Sequence, residues 1–479
     1  MTQILLLSAV IPYAIALLLR LPVVVRGIRD TKGTVFWICA AWVAMFIGQC
    51  KFFGENESAT NIGSLSSAAL YQIFWMAIAF IIVTRLFLRV KFSSQAWRLP
   101  VIALLAYSFW GVTTSAFSPA PLFSAYKASL IAMDALLVLM ALSVLKERAR
   151  PEILLDVTYF LIGIVVAAAA LGGVLYPTEA FHDIYGGFRG VMHGTIIHIH
   201  FNELGLLSAI TVVVSVRRAF SSGTAVERIF WTAQAWVGLI VLFNATARTS
   251  IASLFVALLA LTFLIRQLRP VLVVLILVGI VGGASLWLSN AKLNLDQTDA
   301  AAYLRRGSTD EQLKTLSGRI PLWGIGFEMF KDAPFTGHGF AAGTRYAGRD
   351  YGLPEGTNMH SAHVAVLVDS GAPGYIFWII FVMTPAFLLV RRLVSRKYIY
   401  SENYWGLHVE TTLVMFIIVF RSFLGAVLVL HHFTFLVYCA TIIYIYLMSY
   451  RQLENVESTK ETNRMQVADH ILRRKKSAD

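Results

Sequence analysis

The sequence predicts an all-α fold: a polytopic transmembrane helical bundle of about 12–13 spans, with a large outer loop that carries short amphipathic helices. Three observations support this prediction. Of the 479 residues, 57% are hydrophobic and 14% are charged, whereas a soluble domain carries roughly a quarter charged residues. The apolar residues fall into blocks of about 20, the length that crosses a bilayer core of about 30 Å. Lys and Arg lie mainly in the short segments between these blocks.

The apolar blocks define the predicted spans in chain order. Each block is close to the length that a helix needs to cross the bilayer core, and polar or basic residues bound it on both sides. The predicted spans are 4–24, 34–52, 68–88, 98–117, 124–145, 153–175, 199–216, 229–246, 249–266, 270–289, 373–391, 409–430 and 433–449.

The basic residues set the predicted orientation. Basic loops recur at every second connection, whereas the alternate connections 54–64 and 115–122 lack Lys and Arg. Because cytoplasmic loops carry the excess of Lys and Arg, the basic loops and the C-terminal tail are predicted to be cytoplasmic and the N-terminus to lie outside. This placement accounts for the net charge of +13 without a nucleic-acid partner.

The same pattern divides the chain into four parts. Residues 1–289 hold membrane helices 1–10 with an outer segment at 176–202, residues 290–360 form the outer, periplasmic loop, residues 361–450 hold the C-terminal membrane helices, and residues 451–479 form a cytoplasmic tail. Within the outer loop, 319–331 places Leu322, Trp323, Phe327 and Phe330 near one helical face. We expect a short amphipathic helix on the membrane surface there.

Four arginines, Arg189, Arg248, Arg319 and Arg421, lie on the predicted outer side, where the topology rule should deplete them. Guanidinium groups bind phosphate oxygens through paired hydrogen bonds and stay charged at any working pH, so the group fits a multiply charged anion. Other readings stay open for single members. Arg248 could face water, and Arg421 could extend toward headgroups or pair with the intramembrane Asp134.

Two histidines, His360 and His363, are three residues apart where the polar segment meets a predicted helix. A histidine there can act as a general base, because its unperturbed pKa is about 6.5. His198 and His200 are two residues apart and would not share a helical face, so no metal site is predicted from them. Cys39, Cys50 and Cys439 show no metal or disulfide spacing.

Four segments in order resemble motifs of the O-antigen ligase and polymerase family: HFNELGLLSA (200–209), ATARTSIASL (245–254), SGRIPLWGIGFEMFKDAPFTGHGF (317–340) and HSAHVAVLVDSGAPG (360–374). Members of this family join lipid-diphosphate-linked glycans on the outer face of bacterial cytoplasmic membranes. The sequence departs from the family pattern at Ser361, where Asn usually follows the histidine, and at Ala247, where Ser is commoner before the arginine.

The resemblance implies a glycosyltransferase whose donor is a glycan on a polyprenyl diphosphate, with no cofactor, metal or nucleotide sugar. Arg248 and Arg319, with Arg189 as a third, would bind the diphosphate. His360, preferred to His363 for its spacing from Gly371, would act on the acceptor hydroxyl, and the anomeric carbon would be inverted. Further candidates for the site are His363, His200, Asn202 and Arg421.

The resemblance also implies where the protein works and with what. It places the protein in the bacterial inner membrane with its active site facing the periplasm, among membrane lipids and a glycan or lipid-linked acceptor. It leaves room for polysaccharide assembly or export proteins as partners. The departures from the motifs favour a surface or exopolysaccharide polymerase. The alternatives are an O-antigen ligase acting on lipid A-core, a transporter or flippase of a lipid-linked or anionic substrate, and a scaffold subunit.

Overall fold

The structure, a computed structural model, describes residues 2–29, 33–52, 67–148, 152–182, 190–265, 315, 318–395 and 402–449. The chain is almost wholly helical over these residues, which confirms the predicted all-α class. The β structure of the described residues consists of two isolated bridges and two short strands, β1 (Phe181–His182) and β2 (Val191–Met192), which pair antiparallel.

The long helices follow the apolar blocks along the chain. They are α1 (Thr2–Arg29), α2 (Thr34–Ile47), α3 (Ser67–Phe87), α4 (Leu99–Thr114), α5 (Pro121–Arg148), α6 (Ile153–Leu175), α7 (Phe201–Ser221), α8 (Ala225–Asn244), α9 (Arg248–Leu264), α10 (Arg319–Asp332), α11 (Ala362–Ser395), α12 (Glu402–Phe423) and α13 (Phe433–Ser449).

Eight of the described helices, namely α3 to α8, α11 and α12, are long and apolar enough to cross a bilayer, and α1, α2, α9 and α13 contain shorter apolar helices. These twelve helices correspond to predicted spans. The predicted span 270–289 lies outside the described residues. The predicted polytopic bundle is therefore confirmed for the part of the chain that the structure describes.

Three predicted boundaries in the C-terminal part are wrong. Helix α11 begins at Ala362, well before the predicted start at residue 373, and α12 runs from Glu402 to Phe423 rather than from residue 409 to residue 430. The apolar run continues through 424–430, but its backbone is not helical. Leu428 and Val429 are buried against other helices, and non-helical backbone is tolerated at membrane depth when protein surrounds it.

Helix α11 is kinked at Gly371, which separates residues 362–370 from the longer segment that follows. Gly371 has a φ of 63°, and a Cβ at this position would lie 2.3 Å from the carbonyl oxygen of Phe335. Only glycine adopts this left-handed conformation at no steric cost and leaves room for the neighbouring backbone. The backbone N–H of Ala372 donates to the carbonyl of Pro334, which fixes the loop after α10 against the kink.

A buried ion network joins α6, α7 and α12. Arg218 on α7 donates to Glu410 on α12 at 2.9 Å and to Asp156 on α6 at 2.7 Å, and Arg217 reaches Glu410 at 3.3 Å. The Glu410 side chain is fully buried, and the Arg218 guanidinium lies over the Trp231 ring. Charges inside a bundle are tolerated when they are paired in this way.

Residues 319–361 cover one end of the bundle, which we call the site face. At this end α4 and α12 finish and α5, α7, α9 and α11 begin. The covering layer packs tightly: Phe340 lies against Gly111 of α4, and a Cβ at Gly339 would lie 2.3 Å from the Cβ of Ser118 in the α4–α5 connection. Trp110 Nε1 donates to the carbonyl of Ser370 at 2.8 Å. The layer therefore rests on the membrane helices.

The predicted amphipathic helix is present as α10, and the side that it turns toward the protein is formed by other residues than its predicted membrane-facing side. Gly326 and Met329 are buried, whereas Phe327 is 47% exposed. A Cβ at Gly326 would lie 2.5 Å from Val364 of α11, so the smallest residue of α10 sets this close approach. The contact of α10 with α11 is therefore centred on Gly326, a position that the pattern of apolar residues in the sequence does not predict.

We expect Glu410→Gln to destabilise the bundle. The substitution removes the carboxylate that Arg217 and Arg218 share and leaves Arg218 with Asp156 alone, and breaking a buried ion pair costs on the order of 3–5 kcal/mol. The free energy of unfolding, measured by denaturant titration in mixed micelles, should fall by that amount. Glu328→Gln, which removes the exposed pair of Glu328 with Lys331, is the control and should cost less than about 1 kcal/mol. Equal losses in the two variants would contradict the structural role of the buried network.

Candidate functional site

His360 lies on the site face in a turn directly before α11, and local hydrogen bonds fix its backbone. The side-chain Oδ1 of Asn358 accepts from the His360 N–H at 2.9 Å, and Trp323 of α10 donates to the carbonyl of Met359 at 2.8 Å. After the turn, the Ala362 N–H donates to the carbonyl of Gly425 at 3.0 Å. This hydrogen bond of Asn358 could be predicted from the sequence, because asparagine side chains commonly bond the backbone two residues further along the chain.

His360 adopts a left-handed backbone conformation with a φ of 50°. Non-glycine residues pay about 1–2 kcal/mol for this conformation, although histidine is among those that visit it more often. Thr246, two residues before Arg248, has a φ of 49°. Such strained residues cluster at functional sites, where surrounding contacts hold them. One strained residue is thus His360 itself, and the other lies two residues before Arg248; both His360 and Arg248 are site residues predicted from the sequence.

Arg421 is the buried guanidinium of the site. It lies at the end of α12, donates to the hydroxyl of Thr249 at the start of α9, and reaches the carbonyl of Asn202 at the start of α7 at 3.3 Å. Only 3% of the residue is exposed. One side chain therefore connects three helix ends on the site face. The alternative that Arg421 pairs with Asp134 is wrong, because Asp134 contacts His431 at 2.7 Å.

Arg248 and Arg319 are each the first residue of a helix, α9 and α10 respectively, and both are half-buried. Arg248 precedes Thr249, the residue that Arg421 contacts, and Arg319 faces both Arg421 and His360 electrostatically. The N-termini of these helices point toward the same region and add partial positive charge. The arrangement favours an anion.

The charges around His360 keep its ring neutral. Burial lowers the pKa of His360 below its usual range, and the positive charges of Arg319 and Arg421 lower that pKa further. A neutral imidazole at neutral pH can accept a proton, which is the requirement for a general base. Glu203 at the start of α7 is the acid that attracts Arg421, and it also contacts His432.

The other sequence candidates have different surroundings. His363 packs its ring on Phe423 at 4.3 Å, with Nδ1 3.0 Å from the Tyr375 hydroxyl and Nε2 3.5 Å from the Ser422 hydroxyl. Both ring nitrogens of His363 thus face protein partners. His200 caps α7, where its Nδ1 accepts from the N–H of Asn202 at 3.3 Å.

The structure thus brings together His360, Arg319, Arg421 and the backbone of Asn202, with Arg248 beside the Thr249 contact. Arg189 lies outside the described residues. The sequence analysis missed three contributors, Asn358, Thr249 and Glu203. Of these, only Asn358 carries a local signal, because the partners of the other two come from distant segments. In the described residues, no three His, Cys, Asp or Glu side chains are grouped to hold a metal ion.

The fold and this site define a multi-pass membrane protein with a basic, histidine-bearing site at one end of its bundle. Residues 233–379 match the family model described as O-antigen ligase. The matched segment contains Arg248, Arg319 and His360, and it ends after the kink of α11. The match confirms the resemblance to the O-antigen ligase and polymerase family and supports an O-antigen ligase-type membrane enzyme. None of the curated proteins matches the chain.

We expect Arg319→Gln to raise the pKa of His360 toward the ordinary value of about 6.5, because one of the two nearby positive charges is removed. Diethyl pyrocarbonate modifies neutral imidazole, so the labelling rate of His360 against pH, read by peptide mass spectrometry, reports this pKa. The half-maximal rate should fall below pH 6.5 in the native protein and move upward in the variant. The exposed Arg349 supplies the control, and Arg349→Gln should leave the curve in place. A curve that Arg319→Gln does not move would contradict the electrostatic coupling.

Proposed function

We propose that the protein is an inverting membrane glycosyltransferase that takes glycan from a polyprenyl-diphosphate-linked donor on the outer face of the cytoplasmic membrane and acts as a polymerase of a surface or exopolysaccharide. The observation that carries this proposal is the meeting of a half-buried histidine, whose pKa is lowered by burial and by nearby arginines, with those arginines at one end of a membrane bundle. A lipid diphosphate presents its charges at the membrane surface, and the arginines supply the opposite charge.

The arginines would bind the donor by its diphosphate. Arg248 and Arg319 are half-buried at helix starts, and Arg189 is a third candidate from the sequence. Arg421, which is buried behind them, would add charge and fix the helix ends on which they stand. Negative charge grows on the leaving diphosphate as its bond to the anomeric carbon breaks. Guanidinium groups held in advance stabilise that charge, and one such donor is worth about 10²–10³-fold in rate.

His360 would act on the acceptor. Its neutral ring accepts the proton of the acceptor hydroxyl while that oxygen attacks the anomeric carbon from the side opposite the diphosphate. The new glycosidic C–O bond forms, the bond from carbon to the diphosphate oxygen breaks, and its electron pair leaves with the diphosphate. One displacement inverts the carbon. The arginines would take the part that Mg²⁺ plays in many phosphate sites, so transfer should proceed in the presence of a chelator.

The arrangement of the site face supports His360 rather than His363 as the base. Both ring nitrogens of His363 have protein partners, and its ring stacks on Phe423 and meets Trp378 edge to face. The covering layer of residues 319–361 also fits chemistry at this end of the bundle, because it limits the access of water, which would otherwise compete as the acceptor.

We expect His360→Gln to lose about 10²–10⁴-fold in kcat, the usual contribution of a general base, with little change in donor binding. The measurement is transfer by the purified protein in nanodiscs from a polyprenyl-diphosphate oligosaccharide, in the presence of EDTA, followed by glycan length and lipid release. The control is His182→Gln, which changes an exposed histidine and should keep native turnover. Native turnover by His360→Gln would remove His360 from the reaction.

The same assay separates the alternatives by acceptor. Elongation of a lipid-linked repeat identifies a polymerase, whereas transfer only to lipid A-core identifies the ligase after which the matched family model is named. Movement of the donor across the membrane without a new glycosidic bond, by a folded protein that binds the donor, would replace the proposed enzyme with a transporter.

A further inference from the structure

A second group of positive charges lies on the site face, apart from the arginines near His360. Lys127 of α5 has its Nζ 5.6 Å from the centre of the Phe123 ring and 5.3 Å from that of Tyr126. Arg345, in the one-turn helix Gly343–Tyr346, has its Cζ 5.6 Å from the centre of the same Phe123 ring. Lys51, which follows α2, and Arg345 both repel Lys127 electrostatically. We call Lys51, Lys127 and Arg345 the second basic cluster.

The charges of the second basic cluster have little compensation among the described residues. Asp369 of α11 is the acid that attracts Arg345, but it is buried, and its Oδ1 accepts the N–H of Thr344 at 2.7 Å. In the described parts of the chain, none of the three cations forms an ion pair with a carboxylate. Aromatic faces hold Lys127 and Arg345 instead. Three like charges held together from separate segments favour an anion that bridges them.

The second basic cluster lies near one end of a helix that is long and apolar enough to cross a bilayer. Lys127 lies six residues into α5, which corresponds to about 9 Å from the end of that helix. Lys51 and Arg345 are exposed. The cluster extends from Lys127, near the end of a membrane helix, to the exposed guanidinium of Arg345. This placement suits a phosphate group attached to a membrane anchor, because such a group lies at the interface between hydrocarbon and water.

The first part of α11 relates the second basic cluster to His360. The helix begins directly after His360 and carries Asp369, the acid that attracts Arg345, before its kink at Gly371. Nine residues of helix correspond to about 14 Å. In the donor, the diphosphate is attached to the anomeric carbon that reacts. The site that binds this diphosphate must therefore lie close to the base. An acceptor attacks through a hydroxyl at the far end of its glycan, so its own phosphate must lie some sugar rings away.

We propose that Lys51, Lys127 and Arg345 bind a phosphate group of the acceptor glycan. This inference rests on the proposed glycosyltransferase function and adds to it a class of acceptor, one that carries phosphate. The phosphate can belong to a prenyl diphosphate anchor or to the glycan itself. Arg345 is the exposed guanidinium that can contact two oxygens of one phosphate, and the two lysines add charge.

The binding test counts phosphate sites on the full-length protein in phosphatidylcholine nanodiscs. The probes are farnesyl diphosphate and N-acetylglucosamine 1-phosphate, titrated by native mass spectrometry. Farnesyl diphosphate should occupy two sites in the native protein, one in Arg345→Gln and one in the Arg248→Gln/Arg319→Gln double variant. Arg349→Gln, a matched loss of one exposed charge from the same outer segment, should keep two. The affinity of the second site should fall at least about tenfold in Arg345→Gln, the effect of one lost charged hydrogen bond.

The two probes distinguish the source of the phosphate. If Arg345→Gln binds one farnesyl diphosphate fewer than the native protein, the acceptor is lipid-linked. If the variant loses binding of the sugar phosphate alone, the acceptor is a phosphorylated glycan. Either result supports the proposal. Equal binding of both probes by the native protein and by Arg345→Gln would overturn it. Displacement of the probes by equimolar phosphatidylglycerol would also overturn it, because the second basic cluster would then be a general contact for headgroups.

The kinetic test separates failure of this inference from failure of the proposed function. In the transfer assay, Arg345→Gln should raise the KM for a phosphate-bearing acceptor about tenfold or more, with the donor KM unchanged. Lys127→Gln serves as the second variant, with folding checked by thermal unfolding. An active enzyme with an unchanged acceptor KM refutes the second site alone. No transfer by the native protein with any acceptor refutes the proposed function, whatever the binding test gives.

Discussion

The burial of Arg421 between three helix ends is the interaction on which the candidate site depends. Its guanidinium contacts Thr249 and the carbonyl of Asn202, so α7, α9 and α12 meet around one charge. That charge faces Arg319 and lowers the pKa of His360. Repulsion between like charges destabilises the unliganded bundle, and a bound anion removes this repulsion. Such a site favours an anion, and burial together with the same charges lowers the pKa of His360.

The covering layer turns this charge arrangement into a defined geometry. Trp323 joins α10, which begins with Arg319, to the turn that carries His360, and the close approach at Gly326 seats α10 on α11. The kink at Gly371 lets the first part of α11 end against the loop after α10. Backbone contacts hold the layer on the membrane helices, so the distance between arginine and histidine depends on the fold of the whole site face.

Hydrophobic patterning predicted the helices well, because the thickness of a bilayer fixes the length of an apolar block whatever its neighbours are. It predicted the end of α12 badly, because a buried non-helical segment is as apolar as a span. Candidate residues for the site could be named from the sequence, since arginines on the predicted outer side break a topological rule. The contacts between the residues of the site could not be predicted from the sequence. The hydroxyl of Thr249 meets Arg421 from 172 residues away, and Asp134 meets His431 rather than an arginine. Contacts between distant segments leave no local pattern.

We propose that the arginines near His360 hold the diphosphate of the donor. The most direct test is dipolar recoupling between phosphorus and nitrogen by solid-state NMR, with ¹⁵N-arginine-labelled protein and a polyprenyl diphosphate in a phosphorus-free detergent. We expect phosphorus to dephase guanidinium signals in the native protein and Arg319→Gln to remove part of this effect. In protein that also carries Arg345→Gln, which removes the guanidinium of the second basic cluster, dephasing that survives loss of both Arg248 and Arg319 would place the diphosphate elsewhere.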